Sequence, residues 1–377
     1  MNDEKKTELK KQITEISRRG YALIRQGKHA EAQEAFREGY ALAPKNNYIL
    51  IGLGDAIRKS KDFSGSIRYY EEVLGIDSKN RFALLGLGDA YRGLHDFHKC
   101  LEVWKRYIDS NPDDPSILTR IADAYKKLHN RDLAIIFYQK AIKIKSDNKF
   151  ALMGLGDLYY KEGNHAMTIK YWKQLLEVEP KLINILTMMG NIFRKDHRFQ
   201  EATEYFRQAL EINPRNSYAI YGMADSLRGM GRCKEAVPYW IEISKADPDN
   251  QKVLTRAGDC LYSVADYRKA EEYYTQALRI SNDTFAILGL SRILRKKGAY
   301  DEAISNYKGL LVQNPDDIRA VIQISETIEE RDGREAALSY LNNEIQQRGE
   351  NKQLIAACNR LQIDDFKEGI DHLEKNG

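Results

Sequence analysis

The ten residues FALLGLGDAY, Phe82 to Tyr91, return almost unchanged as FALMGLGDLY at Phe150 to Tyr159, and weaker copies begin at Tyr48, Tyr218 and Phe285. Spacings of 34 and 68 residues between copies restrict the fold severely, because they mean that one small supersecondary unit is stacked many times. A chain of 377 residues also exceeds what a single hydrophobic core usually organises. The periodicity decides for a linear array over several independent globules.

On this period the units start at Ile13, Asn47, Arg81, Pro115, Lys149, Ile183, Ser217, Gln251 and Thr284, and only the eighth is short, by one residue. Each holds two amphipathic stretches of about 12 to 14 residues. Turns such as Gln26-Gly27-Lys28 and Glu162-Gly163-Asn164 join them, which predicts a helical hairpin. Position eight of the unit is always small: Gly20, Gly54, Gly88, Ala122, Gly156, Gly190, Ala224, Gly258 and Ser291. Glycine inside a helix costs about 1 kcal/mol relative to alanine, so its repeated use implies a neighbouring helix too close for a larger side chain. Twelve residues on stand Ala32, Ser66, Cys100, Ala134, Thr168, Ala202, Ala236, Ala270 and Ala303, again small. Four residues beyond these come Phe36, Tyr70, Trp104, Tyr138, Trp172, Phe206, Trp240, Tyr274 and Tyr307, rings that fill the space between one hairpin and the next. Pro44, Pro112, Pro180, Pro214, Pro248 and Pro315 close units, since proline cannot continue the second helix. Within FALLGLGDAY itself, Leu84 and Tyr91 are expected in the core.

With these positions in place the sequence closely resembles the tetratricopeptide repeat family. The resemblance implies an all-α fold, a right-handed α-solenoid superhelix of antiparallel hairpins whose first helices line a concave groove. It covers residues 13–317 as nine repeats, with residues 1–12 extending the first helix. Residues 318–348 are expected as a degenerate tenth hairpin, and residues 349–377 as capping helices over Asn351 to Leu361 and Asp364 to Lys375. A longer period of 68 residues links Trp104, Trp172 and Trp240, and links the doublets Tyr69-Tyr70, Phe137-Tyr138, Tyr205-Phe206 and Tyr273-Tyr274, indicating duplication of a two-repeat cassette.

Several functions find no support in the residues. A net charge of +4 is small for this length, and acids and bases are interspersed. No apolar run reaches membrane-spanning length, and MNDEKKTELKK lacks the apolar centre of a secretory signal, so a cytoplasmic protein is expected. Cys100, Cys233, Cys260 and Cys358 have no metal or redox spacing. Six of seven histidines, His29, His95, His98, His129, His165 and His197, fall in or beside turns, spread along one edge. The glycines of G-L-G-D lie inside a helix, whereas a phosphate loop needs a strand before it and a helix start after it. No catalytic residue, cofactor or metal is expected.

The informative residues lie on the face of the first helices that the resemblance points into the groove. Position nine carries Asp55, Asp89, Asp123, Asp157, Asn191, Asp225 and Asp259, and three residues later come Arg58, Arg92, Lys126, Tyr160, Arg194, Arg228 and Tyr262. Acid and base one turn apart can simply pair with each other, or can hold a ligand's polar groups. Position two carries Tyr48, Phe82, Phe150, Tyr218 and Phe285, alternating with Ser116, Asn184 and Lys252. These rings either tuck against the preceding hairpin or form an apolar stripe for a partner. Position five holds Ile51, Leu85, Thr119, Met153, Thr187, Tyr221, Thr255 and Leu288. Some family members grip an acidic chaperone C-terminus with lysine and asparagine here; this sequence has no lysine at position five, so that clamp is not carried over.

The expectation is a non-enzymatic scaffold whose groove binds another protein or a peptide segment, or a structural subunit of a larger assembly, with end-to-end self-association open. A nucleic-acid-binding array using Lys59, Arg92, Lys126, Lys127, Lys161, Arg194, Lys195 and Arg228 is the alternative, opposed by the interleaved aspartates. A regulatory partner of a separate enzyme is a third. With lining helices about 10 Å apart, a two-hairpin period spans about 20 Å, or roughly six residues of an extended ligand.

Overall fold

Asparagine and aspartate start most of the helices. Asn46, Asn80, Asn148, Asn216 and Asn250, with Asp114, Asp283 and Asp317, stand just before the first helices of their hairpins, and each side chain accepts hydrogen bonds from backbone N–H groups of the first turn. Asp62, Asp96, Asn130, Asn164 and Asp266 do the same for second helices. Each such cap contributes about 1 kcal/mol by satisfying N–H groups that the helix leaves unpaired. Leu182, before the sixth hairpin, makes no side-chain cap.

A computed structural model describes residues 3–349 and 351–362, and these residues are helices and turns with no strand. They fall into two compact units, one up to Pro180 and one from Lys181. The first contains five hairpins: α1 (Asp3–Arg25) with α2 (His29–Leu42), α3 (Asn47–Lys59) with α4 (Phe63–Ile76), α5 (Arg81–Gly93) with α6 (Phe97–Ser110), α7 (Pro115–Lys127) with α8 (Arg131–Ile144), and α9 (Lys149–Lys161) with α10 (His165–Val178). The second contains α11 (Ile183–Lys195) with α12 (Phe199–Ile212), α13 (Ser217–Gly229) with α14 (Cys233–Ala246), α15 (Gln251–Ser263) with α16 (Tyr267–Ile280), α17 (Thr284–Lys296) with α18 (Tyr300–Gln313), and α19 (Ile318–Asp332) with α20 (Arg334–Arg348). A further helix, α21, spans residues 352–362, and its Leu354, Cys358 and Leu361 pack with Val321, Ala337 and Leu341. The expected cap over Asp364 to Lys375 lies outside the described residues. Within each unit every helix packs on the one before it and the one after it.

The position-eight glycines are explained by side chains more than by helix backbone. A Cβ on Gly88 would lie 2.1 Å from the Trp104 indole, and one on Gly156 would lie 2.1 Å from Trp172. A second row of glycines, at position six, meets the aromatic of the preceding hairpin: Gly52 against Phe36, Gly86 against Tyr70, Gly154 against Tyr138, Gly222 against Phe206 and Gly289 against Tyr274, each with a Cβ-to-ring distance of 2.2 to 2.3 Å. The 68-residue cassette acquires a physical cause here. Phe36, Tyr70, Phe206 and Tyr274 are each clasped between two glycines, their own hairpin's and the next one's, and Tyr138 meets Gly154 of the next, whereas Trp104 and Trp240 are followed at position six by Arg120 and Arg256 and Trp172 by Met188. The Arg256 guanidinium lies 5.9 Å from the Trp240 ring. Tyr91, expected in the core, is only half-buried, because its hydroxyl reaches out to Glu71 at 3.4 Å; Leu84 is buried.

Between the helices of every hairpin from the first to the ninth, one residue adopts the left-handed conformation. Gly27, Gly163, Gly231 and Gly298 do so without cost, but Lys61, His95, His129, His197 and Ala265 hold φ between +57° and +68°. This places three of the turn histidines in a backbone role. A side chain costs about 1 kcal/mol or more in this region. Ala265→Gly is therefore expected to stabilise the second unit by about 1 kcal/mol, seen as a higher urea midpoint at unchanged m-value. An unchanged midpoint would contradict it.

Candidate functional site

The aromatic residues at position two do not tuck against the preceding hairpin. Tyr48, Phe82, Phe150, Tyr218 and Phe285 are 52 to 74% exposed, on first helices whose other apolar residues are largely buried. Arg81 lies over Phe82 at 4.5 Å and Lys149 over Phe150 at 5.4 Å, so the rings are flanked by cations while facing solvent.

The position-nine acids are organised by the same two-hairpin alternation. Beside a tyrosine-bearing second helix the acid accepts the tyrosine hydroxyl: Tyr70 donates to Asp55 at 2.8 Å, Tyr138 donates to Asp123, and Tyr274 donates to Asp259 at 2.8 Å. Burial, reinforced by these carboxylates, pushes all three hydroxyls well above the ordinary tyrosine range. In the sixth hairpin both partners change together, to Asn191 and Phe206. Beside Trp104 and Trp240 the acid is instead enclosed by arginines, whereas Asp157, beside Trp172, meets Lys126 alone among the described residues. Asp89 meets Arg120 at 2.7 Å, Arg92 at 3.4 Å and Arg58 at 3.5 Å. Asp225 meets Arg194 at 2.5 Å, Arg228 at 2.9 Å and Arg256 at 3.1 Å. Burial alone would raise the Asp225 carboxyl, but the fields of Arg256, Arg228 and Arg194 outweigh it and hold it below the ordinary range. Asp259 goes the other way: burial raises it, and its nearest cation, Arg292, is 3.6 Å away.

These pairings sort the sequence-derived candidates. Asp55, Arg58, Asp89, Arg194 and Asp225 are engaged within the array, as is Thr119, whose hydroxyl donates to the Pro115 carbonyl at 2.7 Å and accepts from Asn148 at 2.9 Å. Arg92 and Arg228 each pair with the acid of their own helix while keeping an exposed edge. Asp123 and Asp157 remain open. Asp123 is exposed with no cation on it among the described residues, and Asp157, 37% exposed, has only Lys126 at 3.4 Å. Tyr160 packs on Trp172, Tyr221 edge-on to Trp240 at 5.4 Å, and Tyr262 against Tyr267, so these three present rims instead of whole rings. Two cavities open on this face. One, of 420 Å³ in the first unit, is lined by Arg92, Ser116, Thr119, Arg120, Asp123 and Phe150 among others. The other, of 780 Å³ in the second unit, is lined by Asn191, Arg194, Tyr218, Tyr221, Ala246 and Val253 among others.

Sequence reasoning missed the position-six arginines, Arg120 and Arg256. Their signal was present: after the first hairpin, arginine stands at position six only where the preceding ring is tryptophan and where the acid before it lacks a tyrosine partner. The described residues contain no group of three or more His, Cys, Asp and Glu placed to hold a metal, and no helix long and apolar enough to cross a membrane.

Stacked antiparallel helical hairpins with an exposed aromatic and charged face define the class of helical-repeat, protein-interaction scaffolds. Models described as tetratricopeptide repeat match residues 17–81, 115–148, 150–181, 183–216 and 221–285, together more than half of the chain, and the chain belongs to that family. Among solved structures it is similar to the C-terminal part of a TPR repeat-containing protein from Cytophaga hutchinsonii, with 17% identity over 64% of this chain and 99% of that one and a TM-score of 0.50. It is also similar to YrrB, described as a TPR protein with an unusual peptide-binding site, with 21% identity over 50% of this chain and 97% of that one and a TM-score of 0.44. MamA matches with 26% identity over 45% of this chain and 93% of that one, at a TM-score of 0.42. No curated protein matches the chain.

Proposed function

We propose that this chain is a non-enzymatic scaffold that holds a segment of another protein on the face of its first helices. The observation that carries the reading is the row of exposed rings at position two, Tyr48, Phe82, Phe150, Tyr218 and Phe285. Large apolar groups kept in solvent at one repeated position, while their neighbours on the same helices are buried, fit a surface that is covered when a partner docks. Carboxylates without an arginine partner among the described residues, Asp123 in the cavity that Phe150 also lines and Asp157 on the same face, supply sites for basic groups of that partner, and the remaining charges hold the face rigid. The pairing of Arg92, Lys126, Arg194 and Arg228 with carboxylates weakens the nucleic-acid alternative, since each cation so engaged attracts phosphate less.

The test is affinity purification from the native cell with the full chain as bait, comparing wild type with Phe82→Ala/Phe150→Ala/Tyr218→Ala and with Asp123→Lys/Asp157→Lys. The aromatic variant is expected to lose specific partners by about tenfold or more at unchanged circular dichroism, each buried ring contributing about 1.5–3 kcal/mol. Undiminished recovery with both variants would rule out this face.

A further inference from the structure

The last turn of the second helix carries a repeated, half-exposed aliphatic residue: Leu42, Ile76, Ile144 and Val178 in the first unit, Ile212 and Ile280 in the second. Between Ile212 and Ile280 the corresponding residue is Ala246, three carbons shorter than isoleucine. The 780 Å³ cavity opens there, with Ile220, Ile243 and Val253 beside Ala246 and the rings of Tyr218 and Tyr221 as walls. The third hairpin also has a small residue at this place, Ser110, but there the ring of buried Tyr107 stands three residues earlier and its hydroxyl closes on Asp114 at 2.8 Å. Ala246 has Ile243 at that position instead.

The cavity is built and preorganised. Tyr221 is fixed from two sides, edge-on to Trp240 at 5.4 Å with an interplanar angle of 89°, and accepting a hydrogen bond from Arg256. Tyr218 is 74% exposed and continues the aromatic row into the cavity mouth. The charges around it balance, Arg194 and Arg215 against Glu242 and Asp247. Arg194 is already held by Asp225, and Asp247 accepts from Asn250 at 2.9 Å. A balanced rim over a hydrocarbon floor selects for size and apolarity and gives no advantage to a phosphate or to a strongly charged group.

We propose that this cavity is a specificity pocket, set by Ala246, for a bulky uncharged side chain, aromatic or large aliphatic, of a polypeptide segment lying on the first-helix face. The proposal rests on the docking role assigned to that face under Proposed function. The occupant is a polypeptide because the cavity is continuous with the exposed aromatic row, and its volume exceeds that of a single side chain, leaving room for the flanking main chain beside exposed Ser217 and Arg215.

The same array supplies the test. Isoleucine is the resident at this place in four other hairpins, so Ala246→Ile fills the cavity with a residue this helix end accommodates. A phage-displayed library of random dodecapeptides is selected on the full chain, and recovered peptides are titrated by fluorescence anisotropy against wild type, Ala246→Ile and Phe285→Ala. Recovered sequences are expected to share one aromatic or large aliphatic position, and Ala246→Ile is expected to weaken them about 10- to 100-fold at unchanged unfolding midpoint. If Ala246→Ile lowers the midpoint, Ala246→Val is used in its place, with the same loss expected at smaller size. Affinity within twofold of wild type for the filled variant, with Phe285→Ala still weakening binding, overturns the pocket and leaves the docking face standing. Recovery of no peptide overturns both, and binding of isolated N-acetyl-phenylalanine amide with no peptide preference overturns the polypeptide occupant.

Discussion

Trp104→Ala is expected to destabilise the first unit by about 3–5 kcal/mol, at the upper end for a single core truncation. The ring is fully buried at the junction of α5 and α6, against Gly88, where even one methyl group would lie 2.1 Å from the indole. Cavity costs depend on whether the surroundings can collapse into the space. Here they cannot, because the facing residue has no side chain to move and the helix backbones are held apart by the other rings. In a linear array each hairpin relies on its neighbours, so the loss should spread beyond α5 and α6. Urea unfolding by circular dichroism should show the lower midpoint, and hydrogen exchange should show faster opening of α5 to α8 than in wild type. Phe82→Ala, in the same hairpin but on the exposed face of α5, should change stability by less than about 0.5 kcal/mol. A Trp104→Ala effect below about 1 kcal/mol would mean that the ring is not what holds these hairpins together.

Asp225→Asn should cost about as much in the second unit, about 3–5 kcal/mol, because it leaves Arg194, Arg228 and Arg256 converging on a neutral group. The Asp225 side chain is 8% exposed, so water cannot compensate. The pH dependence has a definite sign. Despite burial, the three arginines hold the folded carboxyl below its unfolded value of about 4, so its stabilisation is complete above about pH 4 and is lost as pH falls through the folded value. The gap between wild type and Asp225→Asn in urea midpoint should therefore be constant from neutral pH to about pH 5 and shrink in more acidic solution. Asp157→Asn is the contrast: one lysine at 3.4 Å on a carboxylate 37% exposed should contribute under about 0.5 kcal/mol. Equal effects at Asp225 and Asp157 would refute the division of the acids into structural and open ones.

Much of this architecture was legible from residues alone, since each hairpin repeats one set of local demands. Position eight had to be small, the ring four residues after the second small position had to be large, and the turn had to admit a left-handed residue. These are requirements of local geometry, and a one-dimensional stack writes them once per unit. The aspartates at positions nine were legible as a ladder, but not their inequality: Asp89 and Asp225 differ from Asp157 through Arg120 and Arg256, residues 31 positions further on. The open or buried state of the position-two rings was equally undetermined, because the same aromatic on the same helix fits either a core or a face.

By itself, then, the sequence determined the repeating hairpin, its period and its two-hairpin alternation, because packing between successive helices is a short-range matter of side-chain size. Only the tertiary structure decided which aspartates are neutralised, that the rings at position two stand in solvent, and that Ala246 leaves a cavity. Those properties depend on atoms brought together from neighbouring hairpins, where burial and charge are set by distance in space and not along the chain.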